Sequence, residues 1–196
     1  MKVETLVPVV CVVTGESKLG PVTCGFMDGC LIYLGFESYG SGVHGLVAKN
    51  IAPPMILKAR RQEHRQFDAI IDLIDNNHKT RRFPMNAMGT PFQEQVWTQL
   101  LHIPFGKTWT YKQLAEAAGV PGSYRAVANA CAANPIAVLI PCHRVTQTNG
   151  ALGGYHWGTE IKSQLLELEA QQAEEMEHAC LSLAPKVIRE ESSRPH

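Results

Sequence analysis

The run Pro141-Cys142-His143-Arg144 sets a thiol, an imidazole and a guanidinium in succession behind a proline that restrains the backbone. A thiolate beside cationic groups is the form in which cysteine attacks an electrophile, so Cys142 is the candidate nucleophile. Read alone, it would serve equally as a small buried apolar residue. In an extended segment neighbouring side chains point to opposite faces, so His143 would reach the Cys142 sulfur through a bridging water rather than directly. Such a relay needs a third group to orient the imidazole. Glu169 is of the right type, although a solvated helix face would account for it as well.

A second set of residues precedes this one. Arg125 opens a stretch of small residues, Ala126, Val127, Ala128, Asn129 and Ala130, with almost no long polar side chain to read base edges. A helix so stripped can approach a nucleic-acid groove closely and leave Arg125 to fill the stack where a base has been displaced. An alanine-rich core helix with one surface arginine would look the same. Tyr111 offers a hydroxyl to a phosphate or base, or staples two helices as a half-buried aromatic. Asn134 and Lys162 are compatible with a helix C-terminus and a snorkelling helix lysine.

The elements that must carry these residues can be read from pattern. Short β-rich runs at Leu6 to Thr14, Val22 to Met27 and Cys30 to Phe36, separated by Gly20-Pro21 and Asp28-Gly29, predict a small antiparallel sheet. Phe67, Ile70, Ile71 and Ile74 recur at helical spacing within 59 to 76, and Lys79 to Pro84 reads as an exposed linker. Thr90-Pro91 opens a helix running to about Leu101. Thr110 caps another from Tyr111 to Ala117, and Gly119 to Gly122 turns the chain into a third from Ser123 to Ala133. Two short helices joined by a small-residue turn are a helix-turn-helix pattern. Asn134-Pro135 ends the third helix, Ile136 to Ile140 reads as a brief strand, and a last helix runs from about Thr159 through Glu169.

Composition bounds the rest. The chain has 196 residues and 18 Lys/Arg against 18 Asp/Glu, but the charges are segregated. Residues 1 to 85 hold 10 basic and 8 acidic residues, 86 to 162 hold 5 and 3, and 163 to 196 hold 3 and 7. An acidic tail masks a mildly basic body. Six cysteines without a tight framework, no signal-peptide pattern and no apolar run of the ~18 residues needed to span a bilayer predict an intracellular protein without membrane attachment.

Taken together, Thr110-Tyr111 with Leu114-Ala115, Arg125-Ala126-Val127, Asn134-Pro135, Ile140-Pro141-Cys142-His143-Arg144-Val145 and Gly154-Tyr155-His156-Trp157-Gly158 resemble the O6-alkylguanine-DNA alkyltransferases, the methylated-DNA-protein-cysteine methyltransferases. The resemblance covers about residues 89 to 169, with the Gly-Tyr-x-Trp-Gly form most similar to bacterial members. It implies a ribonuclease-H-like α/β domain over 1–85 and a mostly α domain with the active site and a DNA-binding helix-turn-helix over 86–170; the acidic, Ser- and Pro-containing stretch over 171–196 has no counterpart in it and by its composition predicts a flexible tail. It implies direct-reversal repair: irreversible, stoichiometric transfer of an alkyl group from O6-alkylguanine in duplex DNA to Cys142 after base flipping, with O4-alkylthymine left open as a second substrate. The residues implied are Cys142, a water, His143 and Glu169 as the activating relay, Tyr111 and Lys162 favouring a neutral leaving guanine, and Asn134 organising the turn. Ser123, Arg125, Ala126, Ala128 and Asn129 join Tyr111 at the DNA, and Val145, Ala137, Tyr155 and His156 line the base pocket. The expected partner is double-stranded DNA carrying the lesion, met by a monomer without cofactor, in the cytoplasm of a bacterium or the nucleus of a eukaryote.

Some animal relatives carry a structural zinc in the first domain, but Cys11, Cys24, Cys30, His44, His64 and His78 lack zinc-ligand spacing here, so no metal is expected. A lesion-binding relative with tryptophan in place of the acceptor is disfavoured by Cys142. A transcriptional regulator would need a polar recognition face, and a cysteine hydrolase an oxyanion site and a separated Cys/His pair.

Overall fold

The computed structural model describes residues 8–37, 40–51, 55–58, 61–76 and 83–183. Strands β1 (Val9–Ser17), β2 (Gly20–Met27) and β3 (Cys30–Gly35) form an antiparallel meander. Asp28 and Gly29, both at positive φ, make the tight β2–β3 turn that the Asp-Gly pair predicts. A fourth strand, β4 (Met55–Lys58), lies parallel to β1 and gives the order β3-β2-β1-β4. Helix α1 (Ser41–Asn50) packs Val43 and Val47 with Val10, Ile32 and Tyr33 on one face of the sheet. Helix α2 (Arg61–Asn76) turns Phe67, Ile70, Leu73 and Ile74 into the larger core on the other, as its apolar period requires.

The second half is helical: α3 (Pro91–Leu100), α4 (Tyr111–Ala117), α5 (Tyr124–Ala132) and the long α6 (Thr159–Leu183). Thr90 and Thr110 cap α3 and α4 through complete capping boxes with Gln93 and Gln113. The α4–α5 turn uses Gly119 and Gly122 at φ +70° and +85°, a conformation that costs a side-chain-bearing residue strain. Two-residue strands β5 (Trp109–Thr110) and β6 (Val145–Thr146) pair in parallel and fix the entry of α4 beside the chain leaving Cys142.

Three expectations change. Ile136 to Ile140 is not a strand: Ile136 makes one bridge to Leu34, residues 137–139 turn, and Val138 sits at φ +62°. Of the expected exposed linker, Lys79 to Pro84, Phe83 and Pro84 are described: Pro84 is exposed, and its carbonyl accepts from the Leu31 amide at 2.8 Å. Residues 79–82 of that segment, 6–7 and 59–60 of the expected elements, and 184–196 of the expected tail lie outside the described residues. Helix α6 does not end near Glu169 but continues to Leu183, so residues 171–183 of the expected flexible tail are helical, and Gln172 donates to the carbonyl of Asn76 at the end of α2. Finally, α1 and β4 are additional to the elements the sequence pattern suggested.

One hydrophobic cluster runs from Cys11, Phe26 and Leu34 of the sheet through Val96, Trp97 and Leu114 to Ile136, Cys142 and Leu165. The sheet and the helical half therefore bury their apolar faces against each other. Leu34 marks the junction: its amide donates to the Pro135 carbonyl at 2.9 Å and its carbonyl accepts from Ala137 at 2.8 Å. No helix among the described residues is long and apolar enough to cross a membrane.

Candidate active site

Helix α5 ends at Ala132, ahead of Asn134-Pro135, where the proline excludes helical backbone at residue 134, and the Asn134 side chain bonds the backbone that follows. Its carbonyl oxygen accepts from the Ile136 amide at 2.9 Å, while Nδ2 faces the carbonyls of Ile136 (3.1 Å) and Ile140 (2.8 Å) and Cys142 Sγ (3.2 Å). A single amide thus ties the end of α5, the 136–140 turn and the sulfur together. Cys142, His143 and Arg144 form one 3₁₀ turn rather than an extended segment. No hydrogen bond joins the Cys142 sulfur to His143, so the expected lack of direct contact holds, with a different backbone cause.

His143 is fully buried, and its Nε2 lies 2.9 Å from Glu169 Oε1. Arg144 does not face the thiol. Its Nε and one terminal nitrogen fork Glu169 at 2.8 Å each, its other terminal nitrogen donates to the Ile103 carbonyl at 2.8 Å, and the guanidinium lies 5.5 Å from the Phe105 ring centre. The Gly106 amide adds a bond to Glu169 Oε2 at 3.3 Å. Burial alone would raise the Glu169 carboxyl, but the hydrogen bonds from His143 and Arg144 and their charges outweigh it and hold the group down to about 2. With Glu169 ionised, the His143 proton belongs on Nε2, which leaves Nδ1 as the free acceptor. Burial also lowers the His143 pKa, so the ring is neutral near pH 7.

The thiol is not pre-ionised. Burial pushes Cys142 up to about 11, offset only in part by the Asn134 hydrogen bond and then the Lys162 charge. The expectation that the adjacent His and Arg favour a thiolate is corrected: both are turned to Glu169. Lys162 is fully buried, with Nζ donating to the carbonyls of Val145 (2.6 Å), Leu152 and Gly154 (3.3 Å). It thus fastens the 152–154 loop to the segment after Cys142.

Above the sulfur lies a pocket of about 320 Å³, walled by Tyr111, by Ala128, Asn129, Cys131 and Ala132 of α5, and by Gly154, Tyr155 and His156 of the loop. Its size falls within the roughly 300–1,000 Å³ of pockets that enclose small molecules. Of the four residues expected to line a base pocket, Tyr155 and His156 line this cavity. Val145 and Ala137 do not: both are fully buried in the core, where their backbones serve Lys162 and Leu34. Burial pushes the Tyr111 phenol up to about 12 and Tyr155 well above its ordinary value, so both stay protonated. His143 Nδ1 and the Tyr155 hydroxyl are buried without a protein hydrogen-bond partner among the described residues. Arg125, Ala126 and Ser123 are exposed at the start of α5, outside the pocket wall. Cys131, Ala132 and Gly154 escaped sequence reasoning as pocket residues; the 128, 131, 132 spacing, one face of a helix, was the signal available. No group of three or more His, Cys, Asp or Glu side chains among the described residues is arranged to hold a metal ion.

The model of the 6-O-methylguanine DNA methyltransferase DNA-binding domain matches residues 91–171. The regulatory protein Ada of Salmonella typhimurium is 48% identical over 105 residues, 54% of this chain and 30% of that protein. A probable methylated-DNA-protein-cysteine methyltransferase of Acanthamoeba polyphaga mimivirus is 55% identical over 85 residues, 43% of this chain and 56% of that one. The chain thus spans about a third and just over half of the lengths of these curated relatives. Among solved structures, the O6-methylguanine methyltransferase of Mycobacterium tuberculosis is 32% identical, with TM-score 0.66, covering 83% of this chain and 93% of that one. The chain belongs to the O6-methylguanine-DNA methyltransferase family. Its mixed α/β fold is that of the family's solved members, one of which is the M. tuberculosis protein in complex with DNA (31% identical, TM-score 0.69, covering 84% of this chain and 94% of that one). Within the methyltransferase match lie every residue of the Asn134-Cys142-His143-Glu169 constellation and the pocket above it.

Proposed function

We propose that this protein repairs DNA by direct reversal, accepting the alkyl group of O6-alkylguanine on Cys142 once per molecule as a methylated-DNA-protein-cysteine S-methyltransferase. The observation that carries the reading is a neutral thiol at the base of a purine-sized pocket, held by Asn134, beside a neutral histidine whose outer nitrogen is locked on an ionised glutamate.

The α4–turn–α5 unit is the DNA-binding helix-turn-helix in this reading. The small side chains of Ala126 and Ala128 let α5 approach the duplex, Ser123 and Asn129 contact it, and exposed Arg125 fills the stack when the damaged guanine swings into the pocket. The order β3-β2-β1-β4, with β4 parallel to β1, supports a ribonuclease-H-like first unit over 1–85 that serves as a platform for the active unit over 86–170. The protein acts as a monomer on lesion-bearing duplex DNA without a cofactor, in the bacterial cytoplasm or the eukaryotic nucleus.

The Cys142 proton passes through one water to His143 Nδ1, and Glu169 stabilises the imidazolium that results. The sulfur lone pair forms a bond to the alkyl carbon as the carbon–O6 bond breaks. The electron pair departs with the guanine, and the Tyr111 hydroxyl, still protonated at neutral pH, donates to it. Lys162 acts from behind the loop: its charge favours the thiolate while its three carbonyl bonds hold the wall that Tyr155 and His156 present. The product is a thioether. It offers no good leaving group, so the sulfur is not regenerated.

Incubation with a duplex carrying one O6-methylguanine, followed by mass measurement of the intact protein and its Cys142 peptide, tests the reading. One added methyl on Cys142, saturating at one per molecule and absent in Cys142→Ala, is expected. Lesion binding with an unchanged protein mass would overturn it.

A further inference from the structure

Beside the reaction pocket, and sharing Tyr111 with it, is a second cleft of about 400 Å³. Lys112 of α4, Tyr124 at the head of α5, and Gln147, Thr148 and Asn149 of the turn after β6 complete its walls. Tyr124 is 44% exposed, an unusual expense of apolar surface on a helix whose other exposed residues are small or polar. Lys112 in its wall makes no ion pair or hydrogen bond among the described residues. Between residues 101 and 159 there are four Lys/Arg and a single acid, Glu116. An exposed aromatic ring sharing a cleft with an unpaired cation and with amide and hydroxyl groups matches one nucleotide: a π-face for the base, a charge for the phosphate and donors for the sugar and base edge.

We propose that this cleft is a second nucleotide subsite that takes the neighbour of the flipped residue, with the flanking base stacked on Tyr124. The inference rests on the proposed transfer from DNA. Because the two cavities adjoin at Tyr111, a strand that delivers one nucleotide to Cys142 runs its next nucleotide past Lys112 and Tyr124. Tyr124 thereby makes transfer depend on the base beside the lesion, a dependence the pocket above Cys142 does not itself impose.

Duplexes with one O6-methylguanine and either an ordinary nucleotide or an abasic sugar on its 5′ or 3′ side provide the test. The measured quantity is the rate of methyl transfer from duplex relative to that from free O6-methylguanine base, which has no neighbour and normalises for any change in folding. Tyr124→Ala is expected to lower this ratio on the order of tenfold, in keeping with the loss of one base stack. An abasic sugar on one side of the lesion has the same effect in the wild-type protein, the two changes together cost no more than either alone, and Tyr124→Phe restores the ratio. A ratio indifferent to Tyr124→Ala, or losses that multiply when combined, would overturn the subsite. A binding measurement separates this outcome from failure of the transfer reading. With 2-aminopurine beside the lesion and Cys142→Ser protein, quenching that requires Tyr124 sustains the subsite even if the wild-type protein transfers nothing, and quenching indifferent to Tyr124 overturns it.

Discussion

Asn134, bonded to the Cys142 sulfur, and Glu169, bonded to His143, each give a prediction. Asn134 donates to the sulfur and favours its ionised form against a burial that raises the thiol to about 11. Asn134→Ala removes that donor, raises the thiol further and reduces the thiolate present at any fixed pH. Alkylation of Cys142 by a small haloacetamide, followed against pH, should be slower than wild-type on the order of tenfold throughout and rise only at higher pH. An unchanged profile would mean the amide only shapes the turn. Glu169 yields the second prediction. Its folded pKa of about 2 lies below the ordinary 4.5, so the unfolded chain takes up this proton first. The stability it contributes is present above about pH 5 and is lost as pH falls towards 2, to the extent of about 3 kcal/mol. The lowered His143 pKa acts in the same direction, because below about pH 6.5 the unfolded chain binds a proton that the buried ring refuses. Urea unfolding at stepped pH should therefore show wild-type stability declining with acidity and Glu169→Gln lacking the part below pH 5. Equal slopes would remove Glu169 from the balance.

At the level of elements, α6 carries Glu169 and Lys162, and what seats it is a close approach at Gly106. This glycine is at φ +67°, and a Cβ on it would stand 2.6 Å from Ala173 Cβ and 3.2 Å from the Glu169 carbonyl oxygen. Gly106→Ala should cost about 1–3 kcal/mol in thermal or chemical unfolding through backbone strain and should slow transfer as well, since α6 must shift and take the Glu169 carboxylate with it. Full transfer activity in a folded Gly106→Ala protein would show that the helix seat and the relay are independent. This contact explains why part of the site was illegible in sequence. Cys142, His143, Glu169, Tyr111 and Asn134 could be named from residue type and order, and α2 to α5 from period and caps. Arg144 was misjudged because nothing local says that its fork closes on a helix 25 residues later. The 136–140 segment was misread because an apolar run does not distinguish a buried strand from a buried turn, and here the Asn134 side chain supplies the bonds a ladder would have made. Helix α1 escaped because its glycines and two buried valines, Val43 and Val47, leave little amphipathic period.

For the whole molecule, the question is whether the sheet is a separate body or part of the site's foundation. The cluster joining Leu34 and Phe26 to Ile136, Val145 and Cys142 favours the second, as does the exchange of hydrogen bonds between Leu34 and the 135–137 backbone. The sheet also reaches the pocket loop: Phe36 lies edge-on to Trp157 with ring centres 6.5 Å apart, and Trp157 packs on Tyr155 and His156 at 5.2 and 5.0 Å. If the halves share one core, they should melt together. Far-ultraviolet circular dichroism and tryptophan fluorescence, which here reports Trp97, Trp109 and Trp157 of the second half, should give coincident urea transitions. Leu34→Ala should move both curves by the same 2–5 kcal/mol expected for a fully buried leucine. Two transitions, with the substitution shifting only the first, would make the sheet an independent unit and leave the helical half to support Cys142 alone. Coincident curves would instead make the stability of the 136–140 turn, and hence the position of Sγ, a property of the entire chain.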